Sequence, residues 1–341
     1  MAPSATIPNT TSLETQMVKD VKIKSSAAFV TINATQAPPS KWTYKYHPLE
    51  AQITEDVDGY FLKHWKFGTE KDKKKFVAAG FPRVTCLYFP LAKDDRIKYA
   101  SKLLTILFLI DEILEDMSFD EGSAYNERLM PLARGIGLPN RDDPAEWIMY
   151  DLWATMRAKD LELANGILEP TFEFMRAQTD KARLSIREMG EYLDYRERDV
   201  GKASILHGYP TFPEELAAVH RIEQNCAKHL SVLNDIMSWE KEYAAYLTGH
   251  PEGSAICSAV QVLANATSLP FGSCTRILWV MCREWEAEHN DLVAKVQAET
   301  PNGLSERLKL YIKGLEYQMS GNEHWSLATL RYNSPSNPVE M

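Results

Sequence analysis

The chain has 341 residues, 45% hydrophobic and 25% charged, a globular composition with enough apolar mass for a sizeable core in one large domain or two ordinary ones. A formal charge of -9 and a pI near 5.5 argue against general binding of nucleic acid or of an anionic membrane, because the long-range field repels polyanions. Any anionic substrate therefore has to be met locally, by Arg or Lys donors or by metal ions.

Residues 1–39 are rich in Ser, Thr, Ala and Pro and end in "ATQAPPSKW", the composition of a disordered leader, and the start lacks the apolar core of a secretory signal. The body, 40–334, reads as helix after helix. Apolar spacings of three and four recur in "LEAQITEDVDGYFLKHW", in "RIKYASKLLTILFLIDEILEDM", through the long run "PAEWIMYDLWATMRAKDLELANGILEPTFEFMRAQ", in "ARLSIREMGEYLDYRERDV", in "EELAAVHRIEQNCAKHLSVLNDIMSWEKEYAAYL" and in "RILWVMCREWEAEHNDLVAKVQA". "FPRVTCLYFP", "GIGLPNRDDP", "HGYPTFP" and "TGHPEGS" carry loop chemistry, while "DDPAEW" and "TFPEEL" look like helix starts. About ten helices and no alternating strands are expected: an all-α single domain with a flexible tail at 335–341. Cys86, Cys226, Cys257, Cys274 and Cys282 are scattered and lack C-x-x-C spacing, which predicts neither a disulfide framework nor a zinc site. No apolar stretch reaches the roughly 18–20 residues that span a bilayer, so no membrane insertion and a cytoplasmic location are expected.

The most apolar segment, "LLTILFLI", runs straight into four acids: Asp111, Glu112, Glu115 and Asp116. On a helix Leu104, Leu107, Phe108 and Asp111 share one stripe, and Glu115 lies a turn further on, so the acids continue the apolar face. Like charges at this spacing weaken a helix, and a core-facing carboxylate without a partner costs more still or takes up a proton. Divalent cations at the rim of a pocket remove both costs, and clustered carboxylate oxygens suit Mg²⁺, an ion commonly shared with phosphates. A solvated helix end is the competing reading of such a string, and Asp116 fits it.

A second stripe lies in "LSVLNDIMSWEKEY". Asn234, Ser238 and Glu242 are spaced i, i+4, i+8, and Leu230 and Ala227 continue the row into the core. A carboxamide, a hydroxyl and a carboxylate hold one hard cation without excess negative charge, and Asn and Ser are otherwise poor mid-helix residues. Lys241 adds a positive group beside them. "YRERDVG" places Arg196 three residues before Asp199, with a helix break expected at Val200 and Gly201, and "LRYN" supplies Arg331 and Tyr332, a guanidinium and a phenol suited to diphosphate oxygens.

Together these elements resemble the class I terpene synthases, and within them the fungal aristolochene synthases. The resemblance rests on "DEILE", on "NDIMSWEKE" in the form N-D-x-x-S-x-x-K-E, and on segments such as "DVDGYFL", "VTCLYFPLA", "LEPTFEFMRAQTD", "YRERDVGKA" and "GLEYQMSGNEHWS", from about Trp42 to Tyr332. It implies a helical bundle around a central apolar cavity. It further implies three Mg²⁺ ions, with Asp111 bridging two, Glu112 and Glu115 in support, and Asn234, Ser238 and Glu242 holding the third. Arg196, Lys241, Arg331 and Tyr332 would clasp the diphosphate, with Asp199 linking Arg196 to the helix break, and Tyr88, Phe108, Phe174 and Trp325 would form an aromatic lining. The implied reaction is ionisation of farnesyl diphosphate and cyclisation to a bicyclic eremophilane-type hydrocarbon. Its route runs through germacrene A, reprotonation, ring closure, hydride and methyl shifts and proton loss, with the retained diphosphate as a candidate proton carrier. The resemblance leaves a homodimer open.

The chain departs from that pattern in three places. The acidic motif begins Asp-Glu where Asp-Asp is usual, and "MSWEKEYAA" alters the surroundings of the second stripe but keeps its ligands. After Ala203 the chain runs "SILHGYPTFPEEL", about half a dozen residues short, on the order of 9 Å of helix that would line the cavity floor. A different hydrocarbon product or an impaired enzyme is the reading this shortening favours. A chain-elongating isoprenyl diphosphate synthase would need a second Asp-rich motif, which is missing here. An inert helical binding protein is at odds with the intact ligand set.

Overall fold

A computed structural model describes residues 39–199, 213–249, 252–301 and 303–332. These form thirteen α-helices rather than about ten, with two short 3₁₀ turns and, among the described residues, no strand. In chain order the helices are α1 Glu50–His64, α2 Glu70–Ala79, α3 Phe81–Tyr88, α4 Ile97–Leu114, α5 Phe119–Arg134, α6 Pro144–Lys159 and α7 Leu161–Gly166. They continue with α8 Leu168–Gln178, α9 Met189–Asp199, α10 Pro213–Leu247, α11 Ala259–Thr267, α12 Phe271–Ala298 and α13 Glu306–Ala328. The expected leader (but for Pro39), the tail 335–341, the break at Val200 and Gly201 and the short segment after Ala203 lie outside the described residues.

Cap chemistry sets the boundaries. Asp143 accepts the amides of Ala145 and Glu146 ahead of Pro144, and Ser118 closes a capping box with Glu121 at the start of α5. The long run 144–178 is cut twice, because Asp160 turns extended and its carboxylate takes the Leu163 amide at 3.1 Å, ending α6 and starting α7. Ile167 then joins α7 to α8. "FPRVTCLYFP", expected as a loop, is mostly α3. Its first proline sits in the first turn, where no helical hydrogen bond is lost, and Gly80 at φ 67° ends α2 and opens α3.

Helix α4 explains the greasy run. Leu103, Ile106, Leu109 and Ile110 are buried in the core shared with α1, α3 and α6, while Leu104, Leu107 and Phe108 stand partly open on the other side. Both faces are apolar because both face hydrocarbon, one permanently and one across a cavity. The 35-residue α10 is the central post, packed against α9, α11, α12 and α13. Helix α13 approaches α3 so closely that a Cβ on Gly321 would stand 2.8 Å from the Leu87 carbonyl oxygen, so only glycine fits there. None of the five cysteines is disulfide-bonded, and four of them are buried. Among the described residues no helix is long and apolar enough to cross a membrane.

Candidate active site

Helices α3, α4, α8, α9, α10 and α13 enclose a cavity of about 250 Å³, at the lower edge of the roughly 300–1,000 Å³ usual for small-molecule pockets. Its deep end is apolar and aromatic. Leu104, Leu107 and Phe108 of α4 face Phe174 of α8, Tyr88 of α3 and Trp325 of α13. The rings are braced from behind. Phe108 stacks on Phe81 at 4.5 Å between centroids, and the Trp325 indole donates to the Ala79 carbonyl at 3.0 Å, which also accepts the Thr329 hydroxyl. Tyr88 donates to the Asn322 carboxamide oxygen at 2.7 Å, and burial, first of all, raises the pKa of its phenol.

The other end is charged. Asp111 of α4 and Glu115 at its C-cap stand across from Asn234, Ser238, Lys241 and Glu242 of α10, with Arg196 of α9 and Arg331 and Tyr332 beyond α13 on the same rim. The cations and acids interlock. Arg331 donates to Glu112 and lies 3.9 Å from Asp111, Lys241 is 3.3 Å from Glu115, and Arg196 donates at 3.4 Å to both Asn234 and Asp235. Asn234 in turn donates to the Tyr332 hydroxyl at 2.7 Å. Burial opposes the Arg331 charge, yet Tyr332, Glu112, Asp111 and Glu115 outweigh it and raise the guanidinium pKa. Burial likewise pushes the Tyr332 phenol up to about 12.

The expected residues thus converge, with two differences of detail. Glu112 does not line the cavity but sits behind the rim, gripping Arg331. Asp199 is the last residue of α9, and its side chain lies outside those described. Asp116 is exposed at the end of α4, as the solvated reading expects.

Residue-by-residue reading overlooked three groups. Asp235, buried beside Asn234 on α10, accepts from Tyr192, from the Ala259 amide at 2.6 Å and from Arg196, joining α9, α10 and α11; burial pushes its pKa up to about 7 against the pull of Arg196. Its signal was its burial-competent place beside Asn234, masked by its acidity. Gln178 of α8 donates to Asp111 at 2.9 Å. The turn Glu252–Ser254 docks on the acidic end of α4: the Gly253 amide donates to the Met117 carbonyl, and the Ser254 hydroxyl to that of Glu115 at 2.6 Å. A Cβ on Gly253 would lie 1.9 Å from the Leu114 carbonyl oxygen, which no side chain could tolerate.

The donor set suits hard divalent cations. Carboxylates, a carboxamide and a hydroxyl are oxygen ligands on facing helices, and Ser238 presents a buried hydroxyl with no hydrogen-bond partner among the described residues. A buried orphan of this kind costs about 1–3 kcal/mol unless a further group meets it.

Comparison with known proteins gives the same direction. Residues 102–288 match the family model described as terpene synthase family 2, C-terminal metal binding. The chain is 56% identical over 302 residues to an aristolochene synthase of Penicillium roqueforti, covering 87% of this chain and 88% of that one. It is 54% identical over 310 residues to an aristolochene synthase of Aspergillus terreus, covering 88% and 95%. The crystal structure of aristolochene synthase from Penicillium roqueforti superimposes with a TM-score of 0.76 at 53% identity, covering 86% of this chain and 99% of that one.

Proposed function

We propose that this chain, which belongs to the terpene synthase family and groups there with the aristolochene synthases, ionises farnesyl diphosphate and cyclises it to a bicyclic eremophilane-type hydrocarbon. The observation that carries the reading is one cavity with two chemistries: an aromatic-walled hydrocarbon pocket that ends on two facing rows of oxygen ligands ringed by cations. That is the shape of a greasy tail joined directly to a charged head.

Divalent metal dependence follows from the family. The ions are read as three Mg²⁺, with Asp111 on one side, supported by Glu115 and, from behind the rim, Glu112, and Asn234, Ser238 and Glu242 on the other. When bound they supply charge that neutralises the departing diphosphate. Arg196, Lys241 and Arg331 add donors aimed at the same oxygens, and Tyr332 a phenol. Their present pairing with Glu115, Glu112 and Asn234 keeps them preoriented in a partly dry site, where such charges act most strongly. Leu104, Leu107, Phe108, Phe174 and Trp325 then hold the polyene folded and exclude water from the cation. Aromatic faces contribute on the order of 0.5–2 kcal/mol each to a positive centre near them.

The reading extends to one cyclase domain over 40–334 between leader and tail and to a cytoplasmic location, and leaves a homodimer open. Incubation with farnesyl diphosphate and Mg²⁺, followed by gas chromatography of the extract, is expected to yield a bicyclic hydrocarbon and inorganic diphosphate. A longer isoprenyl diphosphate would mean chain elongation instead, and no turnover an inert protein. The short segment after Ala203 bears on which hydrocarbon forms, and the same chromatogram decides that.

A further inference from the structure

The carboxylate read as the principal metal ligand is held by a neighbour. The Gln178 amide Nε2 donates to Asp111 Oδ1 at 2.9 Å, while Asp111 Oδ2 faces the Arg331 guanidinium at 3.9 Å. With the carboxamide turned over, an oxygen would stand against the carboxylate, so the charges assign the donor. Gln178 is only 7% exposed, yet its Oε1 has no hydrogen-bond partner among the described residues. Long polar side chains are rarely buried half-satisfied, because the orphaned oxygen works against the fold.

The side chain stands on a fixed platform. At the end of α8 the Ala177 carbonyl accepts the Tyr195 hydroxyl at 2.8 Å, and the Gln178 carbonyl accepts Arg183 at 3.2 Å. Arg183 also donates to the Ala255 carbonyl at 3.0 Å, tying this corner to the segment that docks on the acidic end of α4. Thr171, Phe174 and Gln178 follow one another at helical spacing along the cavity wall, just as Leu104, Phe108 and Asp111 do opposite. Two helices therefore each run an apolar stripe into a polar end, and the two polar ends touch.

We infer that Gln178 is a positioning residue for the metal site, fixing the Asp111 carboxylate through Nε2 and offering Oε1 to a water on the cation. The inference rests on the metal-dependent reading above. Mg²⁺ keeps several waters when bound, and each needs an acceptor. Groups that orient a ligand in this way typically contribute 10–100-fold in metal affinity.

Mn²⁺ binding to the full chain, titrated by electron paramagnetic resonance with inorganic pyrophosphate present, tests it. Gln178→Met preserves length and packing but removes both polar atoms. It is expected to raise the Mn²⁺ concentration for half-saturation about tenfold, with the KM for Mg²⁺ rising in parallel and the KM for farnesyl diphosphate at saturating Mg²⁺ little changed. A merely structural role would lower thermal stability and leave the Mn²⁺ curve in place, and a superimposable curve overturns the inference. Should Gln178→Met not fold, Gln178→Asn, one methylene too short to reach, carries the same expectation. Asp111→Ala separates the two levels: if it binds Mn²⁺ like the parent protein, the metal reading itself fails, whereas loss in Asp111→Ala with an unmoved Gln178→Met rejects only the role of Gln178.

Discussion

A cluster of acids and cations at the cavity rim and another between α10, α12 and α13 are built from similar residue types. At the cavity rim Asp111, Glu112 and Glu115 meet Arg331 and Lys241. Between α10, α12 and α13, Arg283 donates to Glu286 and to both oxygens of Glu323, Ser40 donates to Glu286 at 3.0 Å, and His229 lies 3.7 Å from it. Among the described residues it is this second knot, His229 with Glu286 and Glu323, whose ligand atoms come within 4.8 Å of one another, close enough for a cation. Yet each of those carboxylate oxygens already takes a guanidinium or hydroxyl hydrogen, so the place is filled. Exposure separates the two. The side chains of Asp111 and Glu115 are 42% and 40% exposed, those of Glu286 and Glu323 8% and 14%. The rim keeps its charges open to a ligand; the knot spends them on the fold.

The largest expected effects fall on that difference. Asp111→Ala or Arg331→Ala should lower turnover of farnesyl diphosphate by at least ~10²–10³-fold, the usual loss when a preorganised electrostatic group is removed, and Asp111→Ala, at a side chain 42% exposed, should leave the thermal midpoint nearly unchanged. Arg283→Met should do the reverse. It strands the buried carboxylate of Glu286 and the partly buried one of Glu323, and breaking a buried pair costs about 3–5 kcal/mol. Urea unfolding should show that loss, with turnover per folded molecule unaltered. If Arg283→Met is stable but inactive, the division between rim and knot is wrong.

A smaller effect is expected within the pocket. Trp325→Leu keeps an apolar wall but removes a ring face and its hydrogen bond to Ala79. Losing a cation–π contact of about 0.5–2 kcal/mol should slow turnover roughly 2–30-fold and broaden the hydrocarbon mixture seen by gas chromatography. An unchanged product spectrum would place the cation elsewhere in the cavity.

How far these clusters were legible in the sequence depends on where their partners lie. The rim acids stood out because Asp111 and Glu115 share a stripe with Leu104, Leu107 and Phe108 on a single helix, so periodicity alone exposes the conflict between grease and charge. Asn234, Ser238 and Glu242 stood out in the same way. The knot did not. "CREWEAEH" reads as an ordinary solvated helix face, and its meaning depends on Glu323 and His229, 40 and more positions away on other helices. Gln178 fell between the two cases, polar on an apolar stripe but without charge to betray it. Helix boundaries failed where one side chain overrode the pattern: Asp160 cuts a periodic run, and Pro82 starts a helix instead of breaking one.

The knot also responds to acid. His289 lies beside the knot, with its ring against the edge of Trp42; burial first, then His229 and Lys313, lower its pKa from 6.5 to about 4. Burial opposes the Glu286 charge, yet His229, Arg283 and Ser40 together outweigh it and hold the carboxyl below its ordinary value. A base whose pKa falls on folding binds its proton more weakly in the native state, so the unfolded chain holds the extra proton between the two values. Its contribution is therefore complete above about 6.5 and lost as the pH falls towards 4. Glu286 acts in the same sense, its contribution present above 4.5 and lost as the pH falls through its lowered native value. His289→Gln should consequently reduce the decline in thermal midpoint between pH 6.5 and 4, measured as the difference from the parent protein at each pH. The pH profile of turnover should not move, because His289 does not line the cavity. A constant difference in midpoint across that range would show that the histidine titrates alike in both states, and a shifted turnover profile would couple the knot to the rim after all.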